Sequence, residues 1–281
     1  MSDNLSPHHC SQRHRQMSSK LPFTCALVTG GGGGIGKALS SYLISKGIKV
    51  LIAGRTESNL KSTSSEIGAA GYYVLDTGET AKFPEFISRL TKEHPDLDCI
   101  INNAGVQRPL EVFKTPTAEF LQKADQEIDI NIRGPMHLAL GLLEHFKSKP
   151  SAAVINVSSV LGFIPFSVIN PCYNATKAWV HFWTVNLRTQ IEYAGLKDKI
   201  KVIEIAPPGV ETDLHRERED PDDNKKKNNP NFLTIDEFMT EVSQQLEAGE
   251  EMIGAGPGQK FVKKWYAEFG EPYSKATAKK S

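Results

Sequence analysis

Tyr173 and Lys177 stand four residues apart in CYNATKAWVHFWTVNLRTQIEYAG, where apolar residues recur near i, i+3 and i+4, so the two share one helix face. A free phenol, with a pKa of about 10, is a poor acid or base at neutral pH, but a neighbouring ammonium favours the phenolate and makes its proton usable. Taken alone, Tyr173 reads as a packed core tyrosine, and only accompanying groups turn it toward chemistry. A second cluster, Thr29-Gly30-Gly31-Gly32-Gly33-Gly34-Ile35-Gly36, follows an apolar run and opens a helical pattern. Glycines there permit a tight turn and let backbone N–H groups approach a pyrophosphate seated on a helix N-terminus. A flexible linker is the competing reading, and the strand-to-helix context disfavours it.

The elements that must hold these residues alternate. FTCALVT, IKVLIA, YYVL, LDCIIN, AAVINV and IKVIEIA are Val- and Ile-rich runs without strict polar alternation, as expected of strands covered on both faces. Helical patterns lie between them: GIGKALSSYLISKG, SNLKSTSSEIG, FPEFISRLTKEH, the long TAEFLQKADQEIDINIRGPMHLALGLLEHFKSK, and the stretch carrying Tyr173. Six alternations predict an α/β fold, a three-layer Rossmann-type doubly wound parallel sheet in a single domain over 21–281. LTIDEFMTEVSQQLEAG resumes a helix, and EMIGA adds a final short strand.

Composition excludes several classes. With 33 basic and 33 acidic side chains among 281 residues there is no charge excess for nucleic acid, and no apolar run approaches the roughly 20 residues of a membrane span. Residues 1–20 lack the apolar core of a secretory signal and are expected to be a disordered tail. His8, His9, Cys10 and His14 could ligate a metal there, but an unsupported polar cluster is more often solvated, and no metal is expected. Cys10, Cys25, Cys99 and Cys172 form no CxxC pair, which fits a reducing, cytoplasmic setting. Residues 216–229 hold five acids and five bases, and 214–232 is expected to be a charged, lid-like insertion, with a plain solvated loop as the alternative. Within it, Glu217, Glu219 and Asp220 could meet Lys225, Lys226 and Lys227 across a turn at Pro221.

The glycine spacing is TGxxxGxG, and from here the chain resembles the short-chain dehydrogenase/reductase family through residues 23–213. Asn102-Asn103-Ala104-Gly105 matches its NNAG, Asn131 the asparagine within the long helix, Ser159 the serine after the fifth strand, and Tyr173 with Lys177 its YxxxK. NNAGVQR, EIDINIRGP and VIEIAPPGVETDL look most like the DltE-type oxidoreductase branch. Two departures stand out: the Ser159 to Tyr173 interval is one residue longer than usual, and the family's closing segment is not recognisable after residue 250.

The resemblance implies an NADP(H)-dependent oxidoreductase interconverting a carbonyl and an alcohol by hydride transfer. Asn131, Ser159, Tyr173 and Lys177 would be its catalytic set. Tyr173 would donate or accept the proton, Ser159 would bond the substrate oxygen, and Asn131 would hold a water linking the lysine to solvent. Cofactor binding would fall to Gly30, Gly34, Ile35, Gly36, Arg55, Asp76, Asn103, Ala104, Gly105, Tyr173, Lys177, Val210 and Thr212. An NAD site places a carboxylate on the ribose hydroxyl at the end of the second strand; here Gly54 offers none, and Arg55 suits the 2′-phosphate of NADP. Asp76 matches the position facing the adenine, and Thr212 the one meeting the nicotinamide carboxamide. Phe163, Phe166 and Phe232 suggest a hydrophobic small-molecule carbonyl or alcohol substrate. Trp179, Phe182 and Trp183 cannot all face the sheet, so a homodimer or homotetramer is expected. The alternatives are a nucleotide-sensing protein that lost turnover, to which the intact four-residue set is foreign, and a sugar-nucleotide epimerase, whose glycine spacing and larger C-terminal region differ.

Overall fold

The computed structural model describes residues 21–278; the tail 1–20, with His8, His9, Cys10 and His14, lies outside them. Seven parallel strands make one sheet: β1 (Cys25–Thr29), β2 (Lys49–Gly54), β3 (Gly71–Val74), β4 (Cys99–Asn102), β5 (Ala152–Val157), β6 (Ile200–Ala206) and β7 (Met252–Gly254). Their order is β3-β2-β1-β4-β5-β6-β7. Parallel neighbours need crossovers, which the helices supply: α1 (Gly34–Ser45), α2 (Glu57–Ile67), α3 (Phe83–Glu93), α4 (Thr117–Ile128), α5 (Gly134–Lys147), α6 (Pro171–Tyr193) and α7 (Ile235–Glu247). After β7 come α8 (Gly256–Trp265) and α9 (Glu271–Ala276).

The unbroken apolar runs have the predicted cause. Residues of β1, β4 and β5 are buried throughout, because alternate side chains enter two separate cores. On one face Val28, Ile52 and Ile155 pack with Leu39 and Leu43 of α1 and Phe238 and Val242 of α7. On the other, Leu27, Ile100 and Val154 pack with Phe86 of α3, Phe146 of α5 and Leu187 of α6. Each such fully buried Leu or Phe contributes about 1.5–3 kcal/mol. No helix among the described residues is long and apolar enough to cross a membrane.

Two local features aim the sheet at a ligand. Strand order reverses between β1 and β4, which opens a crevice at their carboxyl ends. The long helical pattern at 117–147 is interrupted by a π-turn, Asp129–Arg133, joining α4 to α5, with Asn131 inside it and Gly134-Pro135 just beyond. Gly134 is required there, since a Cβ would stand 2.5 Å from the Thr77 carbonyl oxygen.

Candidate functional site

The crevice at the carboxyl ends is a cleft of about 1110 Å³, at the large end for small-molecule sites. Thr29, which ends β1, ties its two rims together. Its Oγ1 accepts the N–H groups of Asn103 and Ala104, both at 3.0 Å, while Asn103 Nδ2 donates to the Thr29 carbonyl at 3.0 Å. The glycine turn fits tightly beneath. Gly30 has φ +66, and a Cβ on Gly36 would meet the Gly30 carbonyl oxygen at 2.3 Å. Gly33, by contrast, faces open space along the cleft, the arrangement a backbone cradle for phosphate requires.

Of the residues expected to bind a cofactor, Gly30, Gly34, Ile35, Arg55, Asp76, Asn103, Ala104, Gly105, Tyr173, Lys177, Val210 and Thr212 all line this one cleft. Gly36 supports the turn from behind. Arg55 stands at the far end beside Thr56 and Asn59, and no described carboxylate pairs with it, Glu57 included. Asp76 Oδ1 accepts the Gly78 N–H at 2.9 Å, which fixes its carboxylate at the cleft wall.

At the other end β5 and α6 bring the chemical groups together. Ser159, just past β5, accepts the Leu161 N–H at 3.1 Å and its hydroxyl donates to the Pro207 carbonyl at 3.5 Å. Burial pushes the Tyr173 phenol up, while the neighbouring Ser159 hydroxyl pulls it down, Glu127 raises it and Arg218 lowers it. Lys177, one turn along α6, donates to the Val157 carbonyl at 2.8 Å with its Nζ 5.6 Å from the Tyr173 ring centre. Burial pulls the Lys177 ammonium down to about 8, against the opposing pull of Glu127 and Glu204. Asn131 stands behind this wall. Its side chain bonds both the N–H and the carbonyl of Val106 at 2.9 Å and donates to Thr176 Oγ1 at 3.1 Å. Gly105 keeps the space between the two open, since a Cβ there would be 3.3 Å from Asn131 Oδ1 and 3.6 Å from Lys177 Nζ.

The substrate end differs from expectation in three ways. Phe166 and Phe232 line it, but Phe163 turns away to pack on His181 and Trp265. Pro257, Gly258 and Phe261 also line it, so the segment after residue 250, unreadable in the sequence, supplies a wall. The expected pairs of Glu217, Glu219 and Asp220 with Lys225, Lys226 and Lys227 are not formed among the described residues; across Pro221 the pair is Arg218 with Asp223, and other charges of 216–229 reach the body of the protein. Glu217 meets Arg108 at 3.2 Å, Lys226 meets Glu237, and Arg218 bonds Asp223, Gln107 and Asn170. Asn224, buried, donates to the carbonyls of Val210 and Thr212, so this excursion also holds the strip carrying Thr212.

Three buried groups were missed. Glu204 in β6 accepts a hydrogen bond from Ser158 Oγ and pairs with His181 Nδ1 at 2.9 Å, all of it enclosed directly behind Ser159 and Lys177. The available signal was a glutamate amid the apolar run IKVIEIA and a histidine one turn after Lys177. Glu127, fully buried at the end of α4, accepts the Arg108 N–H at 2.7 Å. Its signal was a carboxylate one helical turn before Asn131.

Known proteins resemble this chain in the same region. The short chain dehydrogenase family model matches residues 24–223. An uncharacterized oxidoreductase, DltE, of Bacillus subtilis is 34% identical over 201 residues, covering 72% of this chain and 77% of that protein. An uncharacterized oxidoreductase of Staphylococcus aureus is 32% identical over 189 residues, with 66% and 78% covered. Among solved structures, a serine dehydrogenase complexed with NADP+ superposes with a TM-score of 0.69 at 27% identity, covering 83% of this chain and 95% of that one. A short-chain dehydrogenase from Sphingobium yanoikuyae in complex with NADPH has the same fold, with a TM-score of 0.76 at 21% identity over 92% and 97% of the two chains.

Proposed function

The chain belongs to the short-chain dehydrogenase family, and from that premise we propose that it is an NADP(H)-dependent oxidoreductase interconverting a carbonyl compound and an alcohol, with Tyr173 as the proton donor and acceptor. The observation that carries this reading is the convergence of Ser159, Tyr173 and Lys177 on the same cleft as the glycine turn and Arg55. A nicotinamide cofactor bound there would supply or accept the hydride.

The protein's own groups do the rest. Ser159 holds the substrate oxygen at Tyr173, and a proton passes from the phenol as charge develops on that oxygen. Lys177, anchored on Val157, keeps a positive charge beside the phenol and lowers the cost of the phenolate. Gly54 brings no carboxylate to the ribose end, and the unpaired Arg55 favours a 2′-phosphate. Phe166, Phe232 and Phe261 favour an apolar substrate body.

The test is a panel of ketones, aldehydes and alcohols followed by the change in NADPH absorbance. NADPH is expected to bind more tightly than NADH, and Arg55→Ala to erode that difference. Tyr173→Phe should lower kcat by about 10²–10⁴-fold while nucleotide affinity stays largely intact. Near-normal turnover in Tyr173→Phe, or a preference for NADH that survives Arg55→Ala, contradicts the reading.

A further inference from the structure

Gln107 stands two residues past Gly105 in the wall of the cleft, and no step above uses it. The chain on both sides of it is held. Val106 donates its N–H to Asn131 Oδ1 and accepts from Asn131 Nδ2, both at 2.9 Å. The Arg108 N–H goes to Glu127 Oε1 at 2.7 Å, and the Arg108 carbonyl accepts from Asn170 Nδ2 at 2.8 Å. Gln107 is itself nearly buried, and it lines the same cleft as Ser159 and Tyr173.

The orientation of its amide is determined by its partner. Arg218 Nη2 donates to Gln107 Oε1 at 2.9 Å and to Asn170 Oδ1 at 2.7 Å, while Nη1 donates to Asp223 Oδ2 at 2.6 Å. A guanidinium only donates, so the oxygen of each amide must face it and each NH2 group must face away. The NH2 of Asn170 is spent on the Arg108 carbonyl. That of Gln107 has no acceptor among the described residues. Donors held in a nearly buried wall are costly to leave unanswered, and they call for an acceptor in the cleft. Arg218 is close enough for its charge to favour the Tyr173 phenolate, so this clamp stands at the proton-transfer end.

Resting on the oxidoreductase reading, we propose that Gln107 is a specificity-determining residue: its NH2 group takes a second acceptor oxygen of the substrate, near the carbonyl being reduced, and Arg218 aims it. The substrate class is then a carbonyl compound with an apolar body and a further oxygen close to the reacting carbon, as in a 3-oxo ester or a 3-oxo acid. Two neutral N–H donors suit an ester or a carboxylate oxygen alike. Phe166, Phe232 and Phe261 take the hydrocarbon portion. A plain alkyl chain against Gln107 would strip water from the amide and return no hydrogen bond, which is the physical source of the selection. Because Arg218 belongs to the charged excursion, the amide is aimed only while that segment is seated. A merely structural Gln107 would need only its Oε1 for Arg218, a bond that a glutamate oxygen makes as well.

Gln107→Glu in the full chain separates the two roles, because the carboxylate keeps an acceptor for Arg218 and loses both donors. The probes are two pairs matched in chain length, reduced with NADPH: ethyl 3-oxohexanoate against 4-nonanone, and 3-oxohexanoate against 4-heptanone. In each pair only the first member carries the second oxygen. The proposal predicts that kcat/KM for the oxygen-bearing member, relative to its ketone, falls about tenfold in Gln107→Glu for at least one pair, while the ketones change by less than about threefold. The pair that loses more identifies the oxygen, ester or carboxylate, that the site takes. Ratios unchanged in both pairs, or losses shared equally by the ketones, overturn the proposal. If Gln107→Glu does not fold, binding to the unaltered protein with NADP+, where no hydride can be delivered, decides. The ester or the 3-oxo acid should then bind about tenfold more tightly than its ketone, and equal or weaker binding of both overturns the assignment. Absence of turnover with every carbonyl compound removes the oxidoreductase reading itself, whereas an active enzyme whose ratios ignore Gln107→Glu removes this assignment alone.

Discussion

Lys177 carries its charge where burial opposes it, and this makes the site sensitive to alkali. Its folded value of about 8 lies below the ordinary lysine value of 10.5, so between the two the unfolded chain binds the extra proton. The stability contributed by this residue therefore rises with pH across that window. Activity runs the other way: reduction needs the ammonium, so kcat/KM for a carbonyl substrate should decline as pH rises through about 8. Lys177→Met should lose at least about a hundredfold in kcat/KM and, with it, that alkaline limb in a pH-rate profile. The residues legible in the sequence were those whose chemistry depends on short spacing, such as Tyr173 with Lys177. Glu127, Glu204 and His181 were not, because a buried polar residue acquires its meaning from partners 19, 46 and 23 positions away in the chain.

At the scale of elements, the alternation of strands and helices was readable because two-sided burial leaves a compositional trace in β1, β4 and β5. The π-turn at Asp129–Arg133 left no such trace, and only Gly134-Pro135 hinted at a bend. The charged excursion was legible as a charge run but not in its fastenings, since charge runs do not reveal partners in other elements. Arg218 and Asn224 tie it to Gln107, Asn170 and the Val210–Thr212 strip. The pairs of Glu217 and Lys226 are partly exposed, and such pairs are worth about 0–1 kcal/mol each. We therefore expect residues 216–229 to exchange amide hydrogens quickly in the free protein and slowly once substrate and NADPH are both bound. Slow exchange without ligand would mark a fixed surface insertion.

For the whole molecule, the outer side of the α4, α5 and α6 layer leaves Leu121, Ile128, Leu140 and Phe182 exposed, while Trp179 stacks on Trp183 at 5.5 Å. Apolar groups so placed on three neighbouring helices suit an isologous partner, and we expect a dimer or tetramer. Light scattering at micromolar concentration checks this, with Leu140→Glu expected to shift the species toward monomer and a monomeric unaltered protein contradicting it. The excursion after β6 has a further meaning at this scale. Its two ends are joined by the Val210 to Leu233 bridge, with the Glu211 N–H on the Leu233 carbonyl and the Leu233 N–H on the Gly209 carbonyl, both at 2.9 Å. A loop closed at its own neck can change length and composition without transmitting strain to the sheet, and doubling its length costs only about 0.6 kcal/mol of closure entropy. Evolution can thus exchange the residues between Asp213 and Asn231 as a cassette, altering which molecules are admitted while Thr212, Tyr173 and Lys177 keep their places.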